Sequence, residues 1–152
     1  MKRLLLFTLL LITLGGCAAT TSSPGAHTAV LSRSATLDDV PLRLDVTGLR
    51  RRGAVAALHL RLVNRSPRGG QAFSIDDTFS REGSYDLGGV LLVDSSSGHE
   101  LAPLEDNDLD LGFTEISGGG TQALSVAFPA PHGSKVDLLV PHFGLFRGVP
   151  VD

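Results

Sequence analysis

A chain of 152 residues with 16 acidic and 13 basic side chains has a formal charge of −3, which argues against a nucleic-acid partner, since phosphate recognition calls for a basic surface. Eighteen glycines, eight prolines and no tryptophan point to many turns, and the length suits one domain whose core stands without staples. The single cysteine excludes an intramolecular disulfide. In chain order, Met1-Lys2-Arg3 comes first as a positive start, and Leu4 to Leu14 is an uncharged apolar run. A membrane-spanning helix needs about 20 apolar residues, so this run is too short to span. It has the length of a signal-peptide hydrophobic region.

That run ends in Leu14-Gly15-Gly16-Cys17, where small side chains let an extended backbone enter a peptidase groove. The four residues resemble the bacterial lipoprotein lipobox, with Leu14, Gly15 and Gly16 read by the signal peptidase. The resemblance implies removal of residues 1–16, diacylglycerol on the Cys17 thiol and acylation of the new N-terminus. Two or three acyl chains hold a protein stably on a bilayer, where one chain does so only marginally. Ala18 to Gly25 contains only small or polar residues and a Pro-Gly break, the composition of a flexible tether. Ala18 is not the aspartate associated with inner-membrane retention, so an outer membrane is the expected destination in a cell that has one. With Lys2 and Arg3 gone, the remaining chain carries about −5.

The rest of the sequence alternates with period two and nowhere sustains a helical period. His27 to Leu37 is the first candidate strand, ended by Asp38-Asp39. Leu42, Leu44 and Val46 alternate with Arg43, Asp45 and Thr47 in the next, and Arg50-Arg51-Arg52-Gly53 reads as its turn. Ala54 to Asn64 carries the strongest alternation, with Leu58, Leu60 and Leu62 inward. Turn chemistry fills Asn64 to Gly70, Gln71 to Ile75 is a short strand, and Asp76 to Asp86 is a polar loop holding Phe79 and Tyr85. Val90 to Val93 and His99 to Leu101 make a hairpin across Asp94-Ser95-Ser96-Ser97-Gly98. Glu105 to Gly112 is acidic and strandless, and Ser117 to Gly120 is a turn. Leu124, Val126 and Phe128 mark a further strand, Val136 to Val140 another, and Val149 to Val151 a tail pairing.

Seven to nine short strands without crossover helices predict an all-β, immunoglobulin-like antiparallel β-sandwich over residues 28–152, following the cleaved leader at 1–16 and the lipidated tether at 17–27. Asn64 closing its strand, Leu91-Leu92-Val93-Asp94 with Gly98-His99-Glu100-Leu101, Gly118-Gly119-Gly120-Thr121, Ala127 to Pro131 and Val136 to Pro141 also recur in a known order. Together they resemble the telokin-like, immunoglobulin-fold domains of bacterial lipoproteins, and most nearly the variant that stands beside an OmpA-like domain in actinobacterial envelope proteins. The likeness runs from about Leu37 to Val151 and implies a fold and an envelope location but no reaction. That variant often carries two cysteines where this chain reads Asp106-Asn107-Asp108-Leu109-Asp110. No peptidoglycan-binding domain follows Asp152 in this sequence, so wall binding is not implied.

If each strand crosses the body once, Arg50 to Gly53, Asp76 to Asp86, Glu105 to Gly120 and the tail from Pro141 share one rim. The expected binding rim is therefore Arg50, Arg51, Arg52, Phe79, Tyr85, Phe143 and Phe146, with the aromatics either plugging the core or standing exposed as anchors. Arg65 and Arg68 fall at the other end of a strand roughly 33 Å long. Asp106, Asp108 and Asp110 invite a calcium reading, but an EF-hand loop has glycine sixth and glutamate twelfth. Leu111 and Ser117 occupy those places, with Glu115 nearby. No metal site or cofactor is expected, and those aspartates are the candidates that remain. His27, His59, His99, His132 and His142 lack metal-binding spacing. Ser95-Ser96-Ser97 with His99 sits in a tight turn, and neither a nucleophile elbow nor a phosphate-cradling loop occurs. The expectation is a non-enzymatic envelope lipoprotein held to the bilayer by acylated Cys17 and presenting its rim to an envelope protein. The competing reading is a small-ligand or calcium-binding module.

Overall fold

The computed structural model describes residues 31–75, 79, 87–104 and 114–152. Ten strands run through them: β1 (Leu31–Leu37), β2 (Val40–Arg52), β3 (Val55–Asn64), β4 (Phe73–Ser74), β5 (Leu91–Asp94), β6 (Glu100–Leu101), β7 (Glu115–Ile116), β8 (Thr121–Pro129), β9 (Lys135–Val140) and β10 (Gly144–Pro150). They form a four-stranded sheet in the order β1-β2-β3-β8, a second in the order β10-β9-β5-β6, and a small β4-β7 pair, all antiparallel. No helix occurs among the described residues.

The alternation in the sequence explains the packing. Leu42, Leu44, Leu58, Leu60, Leu62, Val126 and Phe128 from one sheet meet Leu92, Val136, Leu138, Phe146 and Val149 from the other in a single buried core. A side chain of this size contributes roughly 1.5–3 kcal/mol on full burial, so two layers of them make a β-sandwich-like body that coheres without covalent links. Asp38 and Asp39 both take positive φ, the requirement of a tight two-residue hairpin turn between β1 and β2.

β2 is longer than its alternation suggests. Arg50, Arg51 and Arg52 belong to the strand, and the turn falls on Gly53 (φ 63°) and Ala54. The reason is a β-bulge. Val46 pairs with Leu60 and Gly48 with His59, leaving Thr47 as the extra residue, its hydroxyl donating to the His59 carbonyl at 3.0 Å. One added residue reverses the phase of everything after it. Val46 and Leu49 are therefore both buried, and Arg50 and Arg52 turn to the outer face.

The rims also differ from the expected sorting. The Gly53 end carries the β5–β6 turn and the β8–β9 loop: Ala130 N donates to Ala54 O at 2.9 Å, and Arg51 Nη2 to Gly133 O at 2.6 Å. The Asn64 end carries the Ser117–Gly120 turn, through Asn64 N to Gly120 O at 3.0 Å, and the Pro141–Phe143 turn. The segment Gln71 to Ile75 does not cross the body. Only Phe73–Ser74 is a strand, and it pairs with β7 instead of either large sheet, so one presumed reversal is missing and the later turns among the described residues fall at the other end. The tail from Pro141 is not a loop either, since it turns and returns along β9 as β10. At its close Asp152 joins β2, with Asp152 N donating to Leu49 O at 2.9 Å and Arg51 N to Asp152 O at 2.7 Å.

Candidate functional site

At the Gly53 end a cleft of about 530 Å³ opens between the β5–β6 hairpin and the β8–β9 loop. Its floor is Asp94, the last residue of β5, whose carboxylate is buried. Ser96 donates to Oδ1 from its hydroxyl at 2.6 Å and its N–H at 2.8 Å, while His132 N–H donates to Oδ2 at 2.7 Å. The Ser96 hydroxyl and N–H, then the His132 and Gly133 N–H groups, hold this carboxyl well below the ordinary carboxylate range. Asp94 thus fastens two loops from distant parts of the sequence. Ser97, His99, Glu100 and His132 add polar groups to the lining of the cleft and Leu101, Pro129 and Ala130 apolar surface. The His132 ring is exposed, with Nδ1 3.9 Å from Asp94 Oδ2. The Ser96 proton is directed to Asp94 and not to an imidazole, so the cleft offers convergent hydrogen-bonding groups rather than a prepared nucleophile.

A second polar cluster lies on the outer face of the β1-β2-β3-β8 sheet. Asp45 is buried there and accepts from Ser32 Oγ at 2.7 Å, Arg61 Nη2 at 2.7 Å and Nε at 3.0 Å, and Arg43 Nη2 at 3.2 Å. Arg43 Nε lies 3.0 Å from Oδ1 without the alignment of a hydrogen bond and is itself buried. Burial raises the Asp45 carboxyl, but the Ser32 hydroxyl, Arg61 and Arg43 together outweigh it and leave the group below its ordinary value.

The residues expected to share one binding rim are not together. Arg50 and Arg52 point outward from β2, while Arg51 reaches from the Gly53 end to the β8–β9 loop. Phe79 and Phe143 meet at the opposite end, ring centroids 6.2 Å apart and nearly parallel. Both are buried, as is Phe146 in the middle of β10, where the Arg33 guanidinium covers its ring at 5.4 Å. These aromatics close the core, and none stands free as an anchor. Arg65 and Arg68 lie at the Asn64 end, away from Arg50 to Arg52 as expected. Tyr85, the aspartates Asp106, Asp108 and Asp110, and Leu14, Gly15, Gly16 and Cys17 lie outside the described residues.

The chain matches no protein-family profile, no curated protein and no solved structure. Geometry and sequence therefore carry the functional reading. Among the described residues, no group of three or more His, Cys, Asp or Glu side chains could hold a metal ion, and no helix is long and apolar enough to cross a membrane. Sequence reasoning missed that His99 and His132 line one cleft, because 33 positions separate them and their loops are tied by a hydrogen bond from His132 N–H to Asp94. The signal that could have found it is Asp94 itself, an acidic residue at a strand end opening a Ser-rich turn, where a carboxylate collects N–H donors.

Proposed function

We propose that the protein is a membrane-anchored extracytoplasmic lipoprotein, an immunoglobulin-like domain acting as a non-catalytic binding module of the bacterial cell envelope. The observation that carries this reading is the succession Met1 to Cys17: a positive start, an apolar run of signal-peptide length, and Leu-Gly-Gly-Cys, with no further cysteine in the chain. The strand order supports the immunoglobulin-like part. With β1 set aside, β2-β3-β8 faced by β10-β9-β5-β6, with hairpins β5–β6 and β9–β10, follows the order of three strands of one sheet and all of the other in such sandwiches. The anchor is a lipid on Cys17, the destination is the outer membrane where one exists, and an envelope protein is the partner.

The test is metabolic labelling with a fatty acid. The wild-type chain takes up label and floats with membranes, while Cys17→Ser accumulates unprocessed and unlabelled. Label on the Cys17→Ser chain would falsify the anchor. The cleft over Asp94 favours a second reading, a small polar ligand held by Ser97, His99 and Glu100. A photocrosslinker at Ser97 separates the two: an adduct with an envelope protein supports the module, and a small-molecule adduct supports the ligand site.

A further inference from the structure

The bulge at Thr47 places Arg50 and Arg52 on the same outer sheet face as Arg43 and Arg61. The four guanidiniums form a stripe along β2 and β3, from the Arg43–Val63 row to the Arg52–Val55 row. Nine residues of strand give it a length of about 30 Å. Asp45, the one carboxylate within the four strands of this sheet, is buried between Arg43 and Arg61, so it orients two of the cations and shows little of its own charge to solvent. Exposed Asp152 bonds to the backbone on either side of Arg50 and offsets part of the charge at that end. Arg50 and Arg52 are exposed and make no ion pair among the described residues. The outward positions of β1 and β8 carry only serine, threonine and alanine ahead of Pro129. A chain of net negative charge thus concentrates positive charge on one flat face, and such segregation orients a molecule toward an anionic surface.

We infer that this face lies on the anionic headgroups of the bilayer to which the chain is attached, an inference that rests on the lipoprotein reading. Two observations select the membrane over other polyanions. β1 is the edge strand of this same sheet, so the tether leads into the arginine-bearing sheet and not into the other. Thirteen residues, Ala18 to Val30, separate Cys17 from Leu31, a span of at most about 50 Å that keeps the body beside its own bilayer. Each basic residue close to an anionic leaflet improves partitioning about fivefold, and the gain fades beyond about 10 Å and in high salt. Docked this way, the cleft over Asp94, at one end of the sandwich, stays open to partners.

The test uses the full acylated chain reconstituted into vesicles of zwitterionic lipid alone or of that lipid mixed with phosphatidylglycerol. Acylation occupies the Cys17 thiol, so a cysteine introduced at exposed Ser125 reports this face and one at Leu139 reports the outer face of the other sheet. On the anionic vesicles a membrane-impermeant maleimide labels Ser125→Cys several-fold more slowly than on the zwitterionic ones, and high salt removes the difference. Leu139→Cys labels equally on both, and adding Arg50→Ala and Arg52→Ala to Ser125→Cys abolishes most of the slowing. Equal labelling of Ser125→Cys on both vesicles overturns the inference, as does slowing that appears only with soluble polyphosphate. Protein that floats with neither vesicle overturns the anchor reading and this inference with it, by a separate readout.

Discussion

Replacing Asn64 tests whether one buried amide holds the end of the sandwich together. Its side chain is fully buried, and Nδ2 donates to Gln71 O and Ile116 O, each at 2.9 Å, while Oδ1 accepts from Ser66 N at 2.9 Å. Asn64→Ala removes three hydrogen bonds with a net worth of about 0.5–1.5 kcal/mol each and leaves their partners underserved, for a loss of roughly 3–4 kcal/mol. That is a large part of a stability of about 5–15 kcal/mol. Asn64→Asp is the sharper probe. Its carboxylate still accepts from Ser66 but faces two carbonyls it cannot serve, so folding raises its pKa above the unfolded value of about 3.9. The destabilisation is then smallest below that value, where a protonated oxygen donates to one carbonyl, and grows as pH rises through the folded pKa. Urea unfolding of the three chains at about pH 4 and about pH 7, followed by far-ultraviolet circular dichroism, measures both effects. A loss under about 1 kcal/mol for Asn64→Ala, or no pH dependence for Asn64→Asp, refutes the reasoning.

Asp94 has the opposite sign. Its folded pKa lies below the ordinary 3.8, so the stability it contributes is complete above that value and disappears as pH falls through the folded value. The gap in melting temperature between wild type and Asp94→Asn is accordingly flat from neutral pH to about pH 5 and narrows below about pH 4, as thermal melts across that range would show. Two glycines make a matched pair. A Cβ on Gly118 would stand 2.2 Å from Pro67 O and 3.0 Å from Gly70 N, so Gly118→Ala costs about 1–3 kcal/mol. A Cβ on Gly48 meets nothing within 4 Å, and Gly48→Ala stays within about 0.5 kcal/mol by the same denaturant assay.

The fold was readable in the sequence wherever alternation alone decides it. Leu58, Leu60 and Leu62, the hairpin from Leu91 to Leu101, and Val136 to Val140 sit where period two puts them, because one face of each is buried. Alternation fails where a residue is added. Thr47 breaks the phase, and its only local signal is the isolated Gly48 beside it, so without that cue Leu49 reads as out of step and the arginines as a turn. It fails again at Phe73–Ser74, since a two-residue strand and a full crossing look alike in composition, and that ambiguity sent the loops to the wrong ends. Of the candidate site, Asp94 was visible only as a turn former. Its bonds to Ser96 are local, but the bond to His132 crosses 38 positions, and no spacing rule reaches that far.

The pairing of Asp152 with Leu49 and Arg51 bears on the order in which the molecule assembles. The β1-β2-β3 meander is built from near neighbours and is free to form as soon as its residues exist. β3, however, waits for Thr121 to Pro129, and the far half of β2 for Asp152. Contacts so distant along the chain slow folding, because a large loop must close before they return any stabilisation. Until β8 arrives, the β3 margin of the arginine-bearing sheet holds unpaired peptide groups, so a chain that has not yet brought in Thr121 to Pro129 is the species most prone to clump.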